Sequence, residues 1–208
     1  MLNLGFTLSE YNEKDLNELA KTHRFAFKDH YNSRLGNIYA KAFLKWFGNN
    51  PDAVFVEASD KKKKKVYGYI CGAKYGYGSK MNKDLMPVIV LSFLTHPWIV
   101  FDKRFFKMFI PKLKVIFSGS AASADINAGL NKPVFSAVGW AVDPTAPKEV
   151  PGALYEEFLN RVKELGFRSV RGSVFKKNKL ALVYYIHNKW SILKSGSVSE
   201  TITIYKNL

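Results

Sequence analysis

One cysteine, Cys71, is present in 208 residues, so no internal disulfide can staple the fold and a reducing cytoplasm is the expected compartment. The sequence also lacks a run of about 18 uninterrupted apolar residues, the length a spanning helix needs. The nearest approach, Met86 to Phe101, is broken by Pro87, Thr95, His96 and Pro97. The opening MLNLGFTLSEYNEKDL has neither the basic flank nor the continuous apolar core of a secretory signal. Acidic residues are scarce: 17 Asp and Glu stand against 32 Lys and Arg, for a net charge of +15. Such an excess favours anionic partners, whether phosphorylated cofactors, nucleic acid or an anionic membrane surface, and does not choose among them.

Several catalytic classes lack their motifs. The histidines His23, His30, His96 and His187 show no HExxH spacing, and a lone cysteine cannot build a CxxC site, so no metal is expected. There is no GxxxxGK[ST] loop, no GxSxG elbow and no GxGxxG fingerprint.

What is present is a chain of globular composition, 47% hydrophobic and 15% aromatic. Gly5 to Tyr11 alternates apolar and polar residues and predicts a strand; Asn12 then caps a helix over Glu13 to Phe27. A second helix is predicted over Leu35 to Phe47, with Ile38, Ala42 and Trp46 on one face, ending at Gly48-Asn49-Asn50-Pro51. Ala53 to Ala58 and Val66 to Ala73 read as a hairpin whose tip carries Lys61 to Lys65, a solvated turn without assigned function. Residues from about 75 to 132 read as helices plus a loop, inserted before a more regular region. Within that insertion, FDKRFFKMFIPKLKVIF mixes bulky apolar and basic residues, a pattern shared by core or lid helices with snorkelling lysines and by helices that lie on a membrane surface.

From Val134 the order is β-α-β-α-β-β: VFSAVGWAVDP, a helix over Gly152 to Leu165 closed by Gly166, SVRGSVF, a helix over Asn178 to His187, then WSILKSG and SETITIYKNL. A βαβ step implies a parallel strand pair, hence a mixed α/β sheet with helices on its faces.

Two features of this region, a hydrophobic strand ending in Val142-Asp143-Pro144 before a short loop and an Ala153-Leu154 helix, and Asn178-x-x-Ala181-x-x-x-Tyr185 before Trp190, resemble the acyl-CoA-binding core of GNAT N-acetyltransferases. The resemblance implies one GNAT-like domain over residues 1–208: a partly parallel twisted sheet flanked by helices, with a helical insertion at about 75–132 and an acyl-CoA-binding core over 134–208. It implies acetyl-CoA as co-substrate, a small-molecule amine as acceptor and no nucleic-acid partner. The basic, apolar insertion further resembles that of members associated with bacterial surface-polysaccharide synthesis, which implies an amino sugar as acceptor and leaves open a peripheral membrane contact. The alternatives are a protein or peptide N-acetyltransferase, and a degenerate CoA-fold protein that binds an anionic partner through its charge.

The resemblance also assigns residues. Trp140 and Val142 offer backbone groups to the pantetheine amides, as an added strand would. The loop and helix start at Lys148, Val150, Gly152 and Ala153 hold the pyrophosphate, which a helix N-terminus favours. Here the sequence departs from the family: the usual loop is glycine-rich, whereas Glu149 and Pro151 fall at or near its glycine positions, and Pro151 has no N–H to donate. Asn178 reaches the pantetheine arm or simply caps its helix. Tyr185 acts as general acid towards the leaving sulfur, or belongs to an aromatic core stripe with Tyr184 and Trp190. For the base that takes the amine proton, Glu57 and Asp143 are the candidates.

Overall fold

The computed structural model describes residues 5–28, 30–60, 62, 65–96, 130–193 and 200–208. In chain order the elements are β1 (Thr7–Ser9), α1 (Leu16–Ala26), α2 (Gly36–Gly48), β2 (Ala53–Asp60), β3 (Lys65–Lys74), α3 (Tyr77–Thr95), β4 (Val134–Val142), α4 (Val150–Glu164), β5 (Ser169–Phe175), α5 (Lys179–His187), β6 (Ser191–Leu193) and β7 (Thr201–Asn207). The strands form one seven-stranded sheet in the order β1-β2-β3-β4-β5-β7-β6. Every neighbouring pair is antiparallel except β4 and β5.

The period of two in the strands divides the core into two layers. On β2, Phe55 faces one side and Val54, Val56 and Ala58 face the other; on β3, Tyr69, Cys71 and Ala73 oppose Ile70, and a register shift opposite Ala58 and Ser59 interrupts the alternation and leaves Tyr67 on the Ile70 side. The first layer packs under α1, α2 and α3 through Leu19, Tyr39, Phe43, Leu44, Phe47 and Leu85. The second packs under α4 through Val150, Leu154, Phe158 and Val162. Burial on both faces is why the hairpin sequences read as nearly continuous apolar runs.

Local signals account for several helix ends. Asn12 Oδ1 accepts from the Lys14 N–H at 3.1 Å in a short 3-10 turn, Glu13–Asp15, that leads into α1. Pro151 sits in the first turn of α4, where its missing donor costs little. Gly166, at φ 81°, closes the same helix, with N–H bonds from Gly166 to Lys163 O and from Phe167 to Val162 O.

The face of α2 that enters the core is Tyr39, Ala40, Phe43, Leu44 and Phe47, whereas Ile38 is exposed and Ala42 and Trp46 only flank the core. The larger rings at i, i+4 and i+8 bury more apolar area than the Ile38 stripe would. Pro87 lies inside α3, which continues through it to Thr95. Packing of Leu85, Val88, Ile89 and Phe93 against the first layer offsets the lost backbone bond. The segment FDKRFFKMFIPKLKVIF and most of the polar tract after it lie outside the described residues.

Candidate functional site

β4 and β5 face each other only at Val134–Ser169, Phe135–Val170 and Ser136–Arg171. Beyond that point β5 stays with β7 along its whole length, while β4 stays with β3. The β4 ladder is irregular where Cys71 faces Gly139 and Gly72 faces Ala137, so Val138 is an extra, bulged residue. A bulge bends its strand and increases the local twist. The outcome is an opening in which β4 from Ala137 to Val142 has no strand partner on its β5 side among the described residues.

A cleft of about 650 Å³ fills this opening. β4 contributes Ala137 to Trp140 and Val142, β5 contributes Gly172 to Phe175, and α5 contributes Leu180, Ala181, Tyr184 and Tyr185 with Asn178 ahead of it. Trp140 and Val142 are therefore both on the unpartnered stretch and on the cleft wall. Trp140 stacks on Tyr155, centroids 5.8 Å apart and planes at 18°, and meets Tyr184 and Tyr185 edge-on at 5.2 and 5.9 Å. Its Nε1 is enclosed without a partner among the described residues.

Tyr185 is partly buried, and its ring also meets Trp190 at 5.0 Å. Burial, with lesser contributions from the Tyr155 and Tyr184 phenols, pushes its pKa above the ordinary tyrosine value, so the hydroxyl keeps its proton at neutral pH. Tyr184, about 100° around α5 from Tyr185, lines the same cleft. Asn178 both lines the cleft and caps α5, its Oδ1 accepting from the Ala181 N–H at 3.1 Å.

At the helix start expected to hold pyrophosphate, the residues divide. The Val150 side chain is fully buried and its N–H donates to Pro147 O at 3.1 Å; the Ala153 N–H donates to Glu149 O at 3.0 Å. Lys148 is exposed, and neither its N–H nor that of Gly152 bonds to another described residue. A methyl group added at Gly152 would meet nothing within 4 Å, so open space lies in front of it. Pro151 lines the cleft itself.

A second cavity of about 320 Å³ lies on the α1–α3 side of the sheet, lined by His23, Phe27, His30, Asn32, Ser33, Tyr39, Phe43, Tyr77, Gly78, Met81 and Asn82. It shares Phe27, His30, Val138 and Gly139 with the cleft, so the two meet at the β4 bulge. His30 closes the join, its ring 4.5 Å from Phe175 on β5. His23, 6% exposed, is hydrogen-bonded through Nδ1 to the hydroxyl of fully buried Tyr69. Burial, with the nearby His30, pushes the His23 pKa down to about 4, so its imidazole is neutral at physiological pH. No motif in the sequence announces this pair: the residues lie 46 positions apart and meet only because α1 packs on β3.

The two candidate bases line neither cavity. Glu57, 1% exposed, accepts from Ser9 Oγ at 3.3 Å; burial and neighbouring Asp15 push its pKa up to about 8. Asp143 folds back on Thr145, accepting from its N–H at 2.7 Å and its hydroxyl at 2.5 Å. No group of three or more His, Cys, Asp or Glu among the described residues is arranged to hold a metal. No described helix is long and apolar enough to cross a membrane.

No protein-family model and no curated protein sequence matches the chain. Solved structures do. The PaiA N-acetyltransferase of Thermoplasma acidophilum, solved with coenzyme A, superposes with a TM-score of 0.58 at 10% identity over 98% of this chain and 99% of that one. A GNAT-family acetyltransferase of Staphylococcus aureus gives 0.59 at 12% identity over 97% and 98%. Arabidopsis thaliana NAA60, in complex with a bisubstrate analogue, gives 0.59 at 14% identity over 98% and 99%. The chain has the fold of GNAT acetyltransferases.

Proposed function

We propose that the protein is an N-acetyltransferase that moves an acetyl group from acetyl-CoA to a primary amine. The observation that carries this reading is the opening between β4 and β5: a strand edge without a partner, walled by Trp140, Asn178 and Tyr185, is what an extended chain bearing amide groups needs in order to bind as an added strand. The solved structure with coenzyme A among those of this fold supports the same ligand. Trp140 and Val142 pair with the pantetheine amides, and Asn178 adds a side-chain contact. Lys148 and the free N–H of Gly152 receive the pyrophosphate, aided by the α4 dipole. Val150 and Ala153 shape that turn, their own N–H groups being engaged within it.

In the reaction the amine nitrogen bonds to the thioester carbon as the C–S bond breaks, and the amine loses one proton. The leaving sulfur ends as a thiol. Tyr185, kept protonated by burial, donates a hydrogen bond to that sulfur. In water a phenol lies about 1.5 pK units above a thiol, or roughly 2 kcal/mol, so stabilising the departing thiolate by the hydrogen bond matters more than complete proton transfer.

The acceptor enters through the second cavity, whose join with the cleft at Val138 and Gly139 brings an amine to the thioester. An aromatic floor from Phe43 and Tyr39 with Asn32, Ser33 and Asn82 around it suits an amino sugar of the kind built into surface polysaccharides. Titration calorimetry with acetyl-CoA, followed by thiol release against a panel of amines, tests the proposal. Absence of binding at millimolar acetyl-CoA would sink it in favour of a degenerate CoA-fold protein.

A further inference from the structure

His23 holds a polar atom that the protein leaves unused. Its side chain is more than nine-tenths buried and lines the second cavity, and its one hydrogen bond among the described residues runs between Nδ1 and the Tyr69 hydroxyl. Nε2 has no partner among the described residues, yet it is not among the atoms sealed away without one, which are Tyr11 Oη, Glu57 Oε2 and Trp140 Nε1. Nε2 therefore faces the cavity.

Which ring nitrogen carries the proton follows from Tyr69. Its hydroxyl is buried beneath the β4 bulge, where a Cβ on Gly139 would come within 3.3 Å of it, and His23 Nδ1 is its bonding partner. A buried O–H that fails to donate incurs the full desolvation penalty, whereas an oxygen that only donates loses much less. The O–H thus donates to Nδ1, and a neutral imidazole with Nδ1 accepting must carry its proton on Nε2.

We propose that His23 Nε2–H is a specificity-determining donor for an oxygen atom of the acceptor, so that the enzyme selects amines bearing a hydroxyl or carbonyl oxygen near the amino group. The inference rests on the acetyltransferase reading above. Tyr69 acts through His23 as a positioning residue, fixing the tautomer. A neutral donor suits an uncharged oxygen, and the described lining residues of the cavity carry no carboxylate or lysine to recruit a charged one.

Two substitutions separate the donor from the packing. His23→Asn places an amide where Nδ1 stands and can still accept from Tyr69, but leaves nothing at Nε2; His23→Gln places its amide nitrogen near the Nε2 position. The wild type should acetylate 2-aminoethanol, glucosamine and glycinamide in preference to propylamine. A hydroxyl source is indicated if glucosamine leads, a carbonyl source if glycinamide leads. His23→Asn should raise KM for the oxygen-bearing amine about tenfold and for propylamine severalfold less, so that the preference between them shrinks, with acetyl-CoA affinity near normal and His23→Gln recovering part of the preference. Equal defects in both variants, or no wild-type preference over propylamine, overturn the inference. Nitrogen NMR of labelled histidine, which needs no acceptor, should show His23 as the Nε2–H tautomer, and an Nδ1–H tautomer overturns it as well. A protein that fails to bind acetyl-CoA sinks the acetyltransferase reading instead, and the tautomer measurement keeps the two failures apart.

Discussion

Ser136 and Arg171 are the last residues of β4 and β5 to face each other, and everything assigned to the cofactor lies beyond them. The separation is enforced from both outer sides: β3 holds β4 through a bulge at Val138, and β7 holds β5 to Phe175.

Tyr185→Phe removes one hydroxyl and keeps the ring in its contacts with Trp140 and Trp190. Acetyl-CoA affinity should stay near normal and kcat should fall on the order of 10²-fold, the scale for losing a positioned acid. Tyr184→Phe, from the same cleft wall, should cost severalfold at most. A reversal of the two results would move the role to Tyr184; single-turnover kinetics on both variants decides it.

Asn178 caps α5 and, on the proposed reading, also reaches pantetheine, and substitution can part the two. Asn178→Ser keeps a capping oxygen for the Ala181 N–H, so the melting temperature should hold, whereas Asn178→Ala should cost about 1 kcal/mol. If the amide also reaches pantetheine, the serine variant should bind acetyl-CoA about fivefold more weakly, the equivalent of one neutral hydrogen bond. Unchanged calorimetric affinity in Asn178→Ser would leave only the cap.

Glu149 and Pro151 stand where a phosphate loop would gain from glycine. Glu149→Gln should tighten acetyl-CoA, with the gain shrinking as salt rises, because the charge removed is exposed and screened. Pro151→Gly adds a donor at the first turn of α4 and should tighten binding further, at some loss of stability. Parallel titrations with pantetheine, which lacks the phosphates, should show neither effect.

Glu57 makes stability depend on pH. Its folded pKa, pushed up to about 8 by burial and by Asp15, lies well above that of an unfolded glutamate. Between roughly pH 4.5 and 8 the unfolded chain releases the proton that the folded chain keeps, so stability falls as pH rises through that window. Thermal melts of Glu57→Gln should lack this decline and exceed the wild type at pH 8 by more than at pH 5.

The fold around the candidate site was legible in the sequence where the signal is local, whereas the roles of the site residues rest on the resemblance. Gly166 announces the end of α4, Asn178 the start of α5, and the V-D-P after β4 the turn into the loop, because each depends on a few neighbouring residues. Which face of α2 enters the core is not legible for the opposite reason: Ile38, Ala42 and Trp46 satisfy the helical period as well as Tyr39, Phe43 and Phe47 do, and only the sheet beneath chooses between them. The bulge at Val138 left no trace either, since it is a property of the register between β3 and β4. His23 and Tyr69 were unremarkable apart, and their pairing arises from tertiary packing.

The shared wall at Phe27 and His30 links the fates of the two ligands. On the proposed reading, with acetyl-CoA in the cleft and the acceptor in the second cavity, a residue that lines both responds to either occupant, and the binding of the two is expected to be thermodynamically coupled. Reciprocity then requires that the factor by which acetyl-CoA changes acceptor affinity equal the factor by which acceptor changes acetyl-CoA affinity. Substitutions at Phe27 would alter that factor itself, whereas those at Asn82, remote from the join, would alter acceptor affinity alone.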